Sequence, residues 1–467
     1  MMGDPVGLQD RLFYEFDLED MVPSDHLLRR IDAVLDLSWL RDEMKPHYSH
    51  LGCPSVDPEL MIRMLVVGYC YSIRSERRLC DDVKMNLAYR WFCGLGLEDK
   101  VPHHSTFSVN RHGRFRDSDI LRKVFEEVVC GCIKTGLVGG EGFAVDASVI
   151  EADASRFQRI KGSEVDWTPE QRRSRPVQEY LDALESANPP TNPKQKPKAM
   201  SPTDPAAAWT TRGRHKVMFG YSLNYLIDME NAVIVDVEAT PTRISKEVDA
   251  TETMIERTED RFGLKPDRIA GDVAYETGEM LGWLVKRKID PHVPVWGRTQ
   301  VAADGKYVRA DFTYDKERDL YLCPGGKELK TSGTVHDGTT LKYIAKRSDC
   351  GECPLKPEGT TGRERRLSRD INQEAHDYTQ ALMETEAYSQ SAGDRKKIER
   401  LFGEAKLILS MTRGSGVGAE LGAPYRRRRA AQRECRRTKH AIGLPTISAY
   451  RSQNFGQASG LTILSGL

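Results

Sequence analysis

The spacing of apolar and polar residues divides the chain into distinct textures. From residue 1 to about 138, apolar positions recur at helical intervals. In DPELMIRMLVVGYCYSIRSERRLCDDVKMNLAYRWFCGL, Asp57 is placed to cap a helix and Pro58 to open it. Leu60, Met61, Met64, Leu65 and Gly68 follow at helical spacing. Short basic helices are expected through HHSTFSVNRHGRFRDSDILRKVFEEVV. At Gly139-Gly140 the pattern changes. EGFAVDASVIEAD alternates as a strand does, with Phe143, Val145 and Ala147 on one side and Ala144, Asp146 and Ser148 on the other. HKVMFGYSLNYLIDMENAVIVDVEAT predicts two paired strands with a turn at Met229-Glu230-Asn231. KEVDATETMIERTEDRFG predicts an amphipathic helix, and RIAGDVAY a short buried strand ending at Asp272. TGEMLGWLVKRK predicts a helix and DPHVPVWG a further strand. Strand, hairpin, helix, strand, helix is the order of an α/β domain with a mixed sheet.

Other stretches interrupt or follow that domain. Residues 155–215, with NPPTNPKQKPKAMSPTDP, read as a flexible basic insertion without a packed element. Residues 300–365 read as a β-rich insertion, and 372–411 as helix. The expected organisation is a helical N-terminal region at 1–138, an α/β core at 139–299 and 366–413, and a tail at 414–467. The tail is Gly-rich, then Arg-rich, with little helical periodicity. Its Arg426–Arg429 run could grip phosphates without sequence preference. A frameshift in the parent gene would also give this texture, and would remove packing support beyond Ser410 and leave an inactive protein.

Composition narrows the function. Lys+Arg and Asp+Glu are both 69, so the formal net charge is zero. A uniformly basic DNA-coating protein is excluded, and any nucleic-acid surface has to be a local patch. No apolar run reaches about 18 residues, so no membrane span is expected. The acidic start MMGDPVGLQDRLFYEFDLEDM is not that of a secretory signal. Ten irregularly spaced cysteines fit a reduced cytoplasmic setting better than a disulfide scaffold. Arg74, Arg77, Arg78, Arg111, Arg114 and Arg116 punctuate the N-terminal helices. That region reads either as a bundle capping another domain or as a DNA-binding module using Arg114 and Arg116.

Three carboxylates stand out by position. Asp146 lies in the first strand of the core, Asp272 at the end of a later strand, and Glu399 on a helix near the end. In open α/β sheets, ligands collect at the carboxyl ends of strands. With about 100° per residue, Ile398, Leu401, Phe402, Ala405, Ile408 and Leu409 fall in one stripe about 120° wide. Glu399 and Lys406 lie within about 40° of Arg395, along one border of that stripe. An ordinary salt-bridged helix border would look the same, because Arg395 and Glu399 are an i, i+4 pair. Chemistry supplies the sharper reading. Two Asp and one Glu from separated elements can hold two Mg²⁺ or Mn²⁺ ions, and Arg395 and Lys406 beside them can contact phosphate.

These residues carry a resemblance. The chain resembles the DDE transposases of bacterial insertion sequences, whose catalytic domain is of the ribonuclease H type. It does so through VPHHSTFSVNRHGRFR, GFAVDAS, RIAGDVAYETG and RKKIERLFGEAK, over residues from about 10 to 413. The last segment looks like the family signature Tyr-x2-Arg-x3-Glu-x6-Lys, matched by Arg395, Glu399 and Lys406. Ala392 stands at the Tyr position, and Tyr388 is out of register. The resemblance implies a ribonuclease H-like mixed-sheet core and two Mg²⁺ ions on Asp146, Asp272 and Glu399. It implies cleavage of double-stranded DNA at inverted-repeat ends, joining of the 3′ hydroxyl to target DNA, and a homodimer that pairs two ends. The competing expectations are an inactive or repurposed inverted-repeat binder and a nuclease that cuts without joining.

Other signals carry blander readings. Cys323 and the Cys350-x2-Cys353 pair resemble a zinc knuckle that lacks its fourth ligand. Gly359 stands where related sequences tend to have a Cys, and His336 is the other candidate. A loop of reduced thiols without zinc is the expectation. Cys130 and Cys132 read as core, and His103-His104 as a helix cap. Trp209 and Trp296 could stack on a base or simply pack. Glu276 and Glu279 read as a solvated helix start, and Glu151 and Asp153 as surface.

Overall fold

The computed structural model describes residues 16–152, 154–161, 167–173, 177–178, 180–181, 198–211, 217–241, 244–295, 307–407 and 413–414. Side chains at 241, 244–246, 397–407 and 413–414 lie outside that description. Two compact units divide the chain, with a break between Val138 and Gly139. Among the described residues no helix is long and apolar enough to cross a membrane.

Residues 16–138 of the first unit are helical. Its helix Pro58–Cys70 starts as its sequence dictates: the Asp57 carboxylate accepts the Glu59 N–H at 2.8 Å, and Pro58 needs no donor partner. Met61, Ile62, Met64, Leu65, Val66 and Val67 are all buried, so this helix is enclosed on most sides. Helix Glu76–Met85 crosses close to it: a Cβ on Gly68 would stand 3.3 Å from Leu79 Cδ2. Phe92, Phe107 and Phe115 complete the same apolar cluster. His103 caps helix His104–Asn110, its ring nitrogen accepting the Ser105 N–H at 3.3 Å. Cys130 and Cys132 are buried on helix Ile120–Lys134, and burial pushes the Cys132 thiol up to about 11.

The second unit is built on a mixed sheet. Its strands are β1 (Gly142–Ala152), β4 (Ala208–Thr210), β5 (Met218–Asp228), β6 (Ile234–Pro241), β7 (Arg268–Ala270) and β8 (Asp290–His292), with β2 (Ile160–Lys161) and β3 (Ala199–Met200) outside it. The order is β4-β5-β1-β7-β8, and β6 also pairs with β5. β1 is antiparallel to β5, and β1, β7 and β8 are mutually parallel along the ladder. The alternation in GFAVDAS does not translate into one wet face. Gly142 to Val145 are all buried, and β1 is an interior strand paired on both edges. Helix Ile244–Phe262 packs on β5. Its Arg257 bridges Asp236 at 2.7 Å and Glu238 at 2.8 Å, tying the helix to β6.

The insertion at 155–215 departs from its expected texture. Its described parts form the small β2–β3 pair and an apolar cluster of Trp167, Val177 and Met200, joined by Ile160, Tyr180 and Leu181. A few large apolar residues suffice to anchor the segment, and average composition hides them. The segment 182–197, which holds half of its prolines, lies outside the described residues.

The β-rich insertion is a separate antiparallel sheet in the order β13-β12-β11-β10-β9, comprising β9 (Thr313–Asp315), β10 (Leu320–Leu322), β11 (Glu328–His336), β12 (Thr340–Ala345) and β13 (Arg366–Asp370). It runs to Asp370, past the expected end at 365, because Thr340↔Asp370 to Ile344↔Arg366 complete the ladder. Its core is aromatic: Tyr321 and Tyr343 are buried with ring centroids 5.0 Å apart. The helical stretch from 372 is broken into Gln373–Leu382 and Glu386–Leu407.

Candidate active site

The central strand brings two of the three acids level. The β1–β7 ladder ends at Ala144↔Ala270, and two residues farther along the chain from each stand Asp146, still on β1, and Asp272, beyond β7. Both acids therefore follow the carboxyl end of the paired segment, and both carboxylates raise the phenol of the buried Tyr275. Asp146 is half-buried, and its Oδ1 accepts the Ala147 N–H at 2.7 Å. Asp272 is not the last residue of a strand, as RIAGDVAY suggested. β7 closes at Ala270, and Asp272 caps the short turn Val273–Tyr275 by accepting the Ala274 N–H at 2.8 Å. Gly271 makes the exit possible. A Cβ there would stand 3.1 Å from the Tyr275 ring and 3.3 Å from Val145 Cγ2.

The third acid belongs to helix Glu386–Leu407, and two contacts dock that helix beside the pair. Arg395 Nη1 donates to the Gly271 carbonyl at 2.8 Å, immediately before Asp272. Ser391, buried, meets His292 Nδ1 at 2.7 Å, and His292 pairs with Ala270 across β7–β8. Burial holds the His292 imidazole below its usual value. Tyr388 packs against His292 with ring centroids 5.6 Å apart. At about 100° per residue, Tyr388 lies within about 20° of Arg395, so it occupies the same border of the helix although out of register in sequence. The Glu399 backbone stands about 6 Å along the axis from Arg395. The side chains of Glu399 and Lys406 lie outside the described residues.

A fourth acid, Glu247, was not singled out from the sequence. Glu247 is half-buried in the first turns of helix Ile244–Phe262, and its Oε1 accepts the Ser222 hydroxyl at 2.8 Å. Burial first, and then the charge of Asp272, push its carboxyl above the ordinary range, opposed by the Ser222 hydrogen bond. Tyr275 is buried beside these groups. Burial raises its phenol strongly, and Glu247, Asp146 and Asp272 add to the shift in that order. In KEVDATETM, Glu247 reads as one of several acids of a surface helix. The hairpin that brings Ser222 beneath it is the only sequence clue.

Other residues read from sequence fall as follows. Arg114 is half-buried and its guanidinium lies 4.0 Å from the Tyr48 ring centroid, packed inside the first unit. Arg116 is half-buried too. Arg111 donates to the Tyr69 hydroxyl at 3.0 Å and meets Glu76 at 3.4 Å. Arg74, Arg77 and Arg78 are exposed, Arg78 in an ion pair with Asp82. Trp209 packs on Phe219 at 4.8 Å with Arg159 above it; Trp296 and Asp153 lie outside the described residues. Glu279 is exposed; Glu276 and Glu151 are half-buried. Cys323, Cys350 and Cys353 line one cavity with Gly359 and Asp349, which His336 does not reach. Among the described residues no group of three His, Cys, Asp or Glu side chains could hold a metal ion.

Comparison with known proteins gives two family matches. The Transposase domain (DUF772) family matches residues 16–113, and the Transposase DDE domain family matches residues 139–413. No curated protein matches. A cryo-EM structure of the piggyBac transposase synaptic complex with hairpin DNA is similar at 10% identity and a TM-score of 0.28, over 81% of this chain and 66% of that one.

Proposed function

The chain belongs to the Transposase DDE domain family, and from that premise we propose that it is the transposase of a bacterial insertion sequence. It cuts double-stranded DNA at the inverted-repeat ends of its element and joins the freed 3′ hydroxyl to target DNA, in the bacterial cytoplasm. The observation that carries the reading is that Asp146 and Asp272 each stand two residues past the last pair of the parallel β1–β7 ladder, with the Glu399 helix docked on Gly271. The strand order β6-β5-β1-β7-β8, antiparallel on the β5 side of β1 and parallel on the other, supports a ribonuclease H-like core.

The donor set fits divalent Mg²⁺ or Mn²⁺. Its members are hard carboxylate oxygens, gathered where burial and mutual repulsion already hold Glu247 above its ordinary range. Asp146, Asp272 and Glu399 would hold the ions. When bound, paired ions lower the pKa of the attacking water or hydroxyl and stabilise the leaving oxygen. The protein itself fixes geometry. The β1–β7 ladder sets the spacing of the two Asp residues, the Ala147 and Ala274 amides hold one oxygen of each, and Arg395 fixes the helix on which Glu399 rides. Lys406 supplies a point charge for phosphate, and a homodimer brings two ends together. Arg114 and Arg116, with the exposed Arg74, Arg77 and Arg78, belong to the helical region proposed to grip the DNA.

The test uses labelled duplexes carrying the inverted repeats that flank the gene. With Mg²⁺, the wild-type chain should nick the ends and yield strand-transfer product. Asp146→Ala, Asp272→Ala and Glu399→Ala should bind the same duplex but neither nick nor join it. Nicking retained by all three variants would overturn the reading, and binding without nicking by the wild type would leave an inverted-repeat binder.

A further inference from the structure

Glu247 stands outside the three-acid signature yet within electrostatic reach of Asp272. Its anchor, Ser222, is fully buried on β5 and pairs with Val149 of β1. Since Asp146 pairs with Tyr225, the register puts Ser222 and Asp146 on opposite faces of the sheet. Glu247 therefore approaches from the face opposite Asp146, and its carboxylate feels the charge of Asp272, which lies beyond the end of β7. A second polar group is buried near the same acids. Tyr275 is 2% exposed, and its buried hydroxyl lies beside Thr251, one turn along the helix from Glu247. A helix-start acid satisfied by the helix dipole alone would need neither Ser222 nor a place beside a like charge.

We infer that Glu247 is a positioning residue of the cation site: Ser222 fixes one carboxylate oxygen, and the other orders water in the shell of the divalent ion held by Asp272. This rests on the proposed metal-binding role of Asp146 and Asp272. Outer partners of this kind typically change metal affinity by about 10–100-fold when removed.

The test is Mn²⁺ binding to the full chain, read from the free-ion electron paramagnetic resonance signal, with thermal melting as a check of folding. Glu247→Gln should weaken Mn²⁺ binding by about 10–100-fold at unchanged stoichiometry. Ser222→Ala should weaken it less, and Asp272→Asn should remove a site. If Asp272→Asn lowers binding while folded Glu247→Gln binds as the wild type does, the inference fails and the acid site stands. If Asp272→Asn also binds as the wild type does, the acid site itself fails. Should Glu247→Gln not fold, Ser222→Ala decides: unchanged Mn²⁺ affinity in that variant overturns the role of Glu247.

Discussion

Arg395 shows what a sequence motif leaves open at the scale of one residue. Its spacing from Glu399 and Lys406 suggests a phosphate contact. In the structure one guanidinium nitrogen is engaged by the Gly271 carbonyl, next to Asp272. A charge-assisted hydrogen bond of this kind contributes about 1.5–3 kcal/mol. Arg395→Ala should therefore lower thermal stability of the DNA-free protein and abolish cleavage. Arg395→Lys should restore only part of either, since an ammonium cannot reproduce the guanidinium fork. An unchanged melting temperature with weakened DNA binding would assign Arg395 to phosphate alone. Asp146 stood out because it lies in a recognisable strand block, and Asp272 because RIAGDVAY marks a strand that in fact ends two residues before it. Glu247 was not, because helical periodicity marks a half-buried acid as an ordinary surface one. Nor could spacing show which N-terminal arginines are enclosed, since that depends on Tyr48 and Tyr69 meeting Arg114 and Arg111 across the fold.

Elements were legible where periodicity was strong. Strand, hairpin, helix, strand and helix occur in the order read from residues 142–292, whereas the packed insertion around Trp167 was hidden by its polar average. Helix Ile244–Phe262 carries a testable property of its own. Burial, then Glu279, Asp249 and Glu256, push the Glu252 carboxyl from 4.5 to about 7, with Arg287 opposing. The folded chain thus holds this proton more tightly than the unfolded chain. Its stabilising contribution is full below pH 4.5 and is lost as pH rises through about 7. Glu252→Gln removes that dependence. The variant should melt higher than the wild type at pH 8, with a smaller difference at pH 5. A difference independent of pH would show that Glu252 titrates normally.

For the whole molecule, balanced charge leaves the proposed DNA recognition to local surfaces, and the proposed chemistry belongs to one of two compact units. The two family matches cover both regions, residues 16–113 and 139–413. The proposed function requires three acids from elements far apart in sequence, Asp146, Asp272 and Glu399, to converge. Anomalous diffraction from crystals of the DNA complex grown with Mn²⁺ tests this most directly. The account predicts manganese peaks liganded by Asp146, Asp272 and Glu399 together. Peaks that leave out any one of these three carboxylates would contradict it.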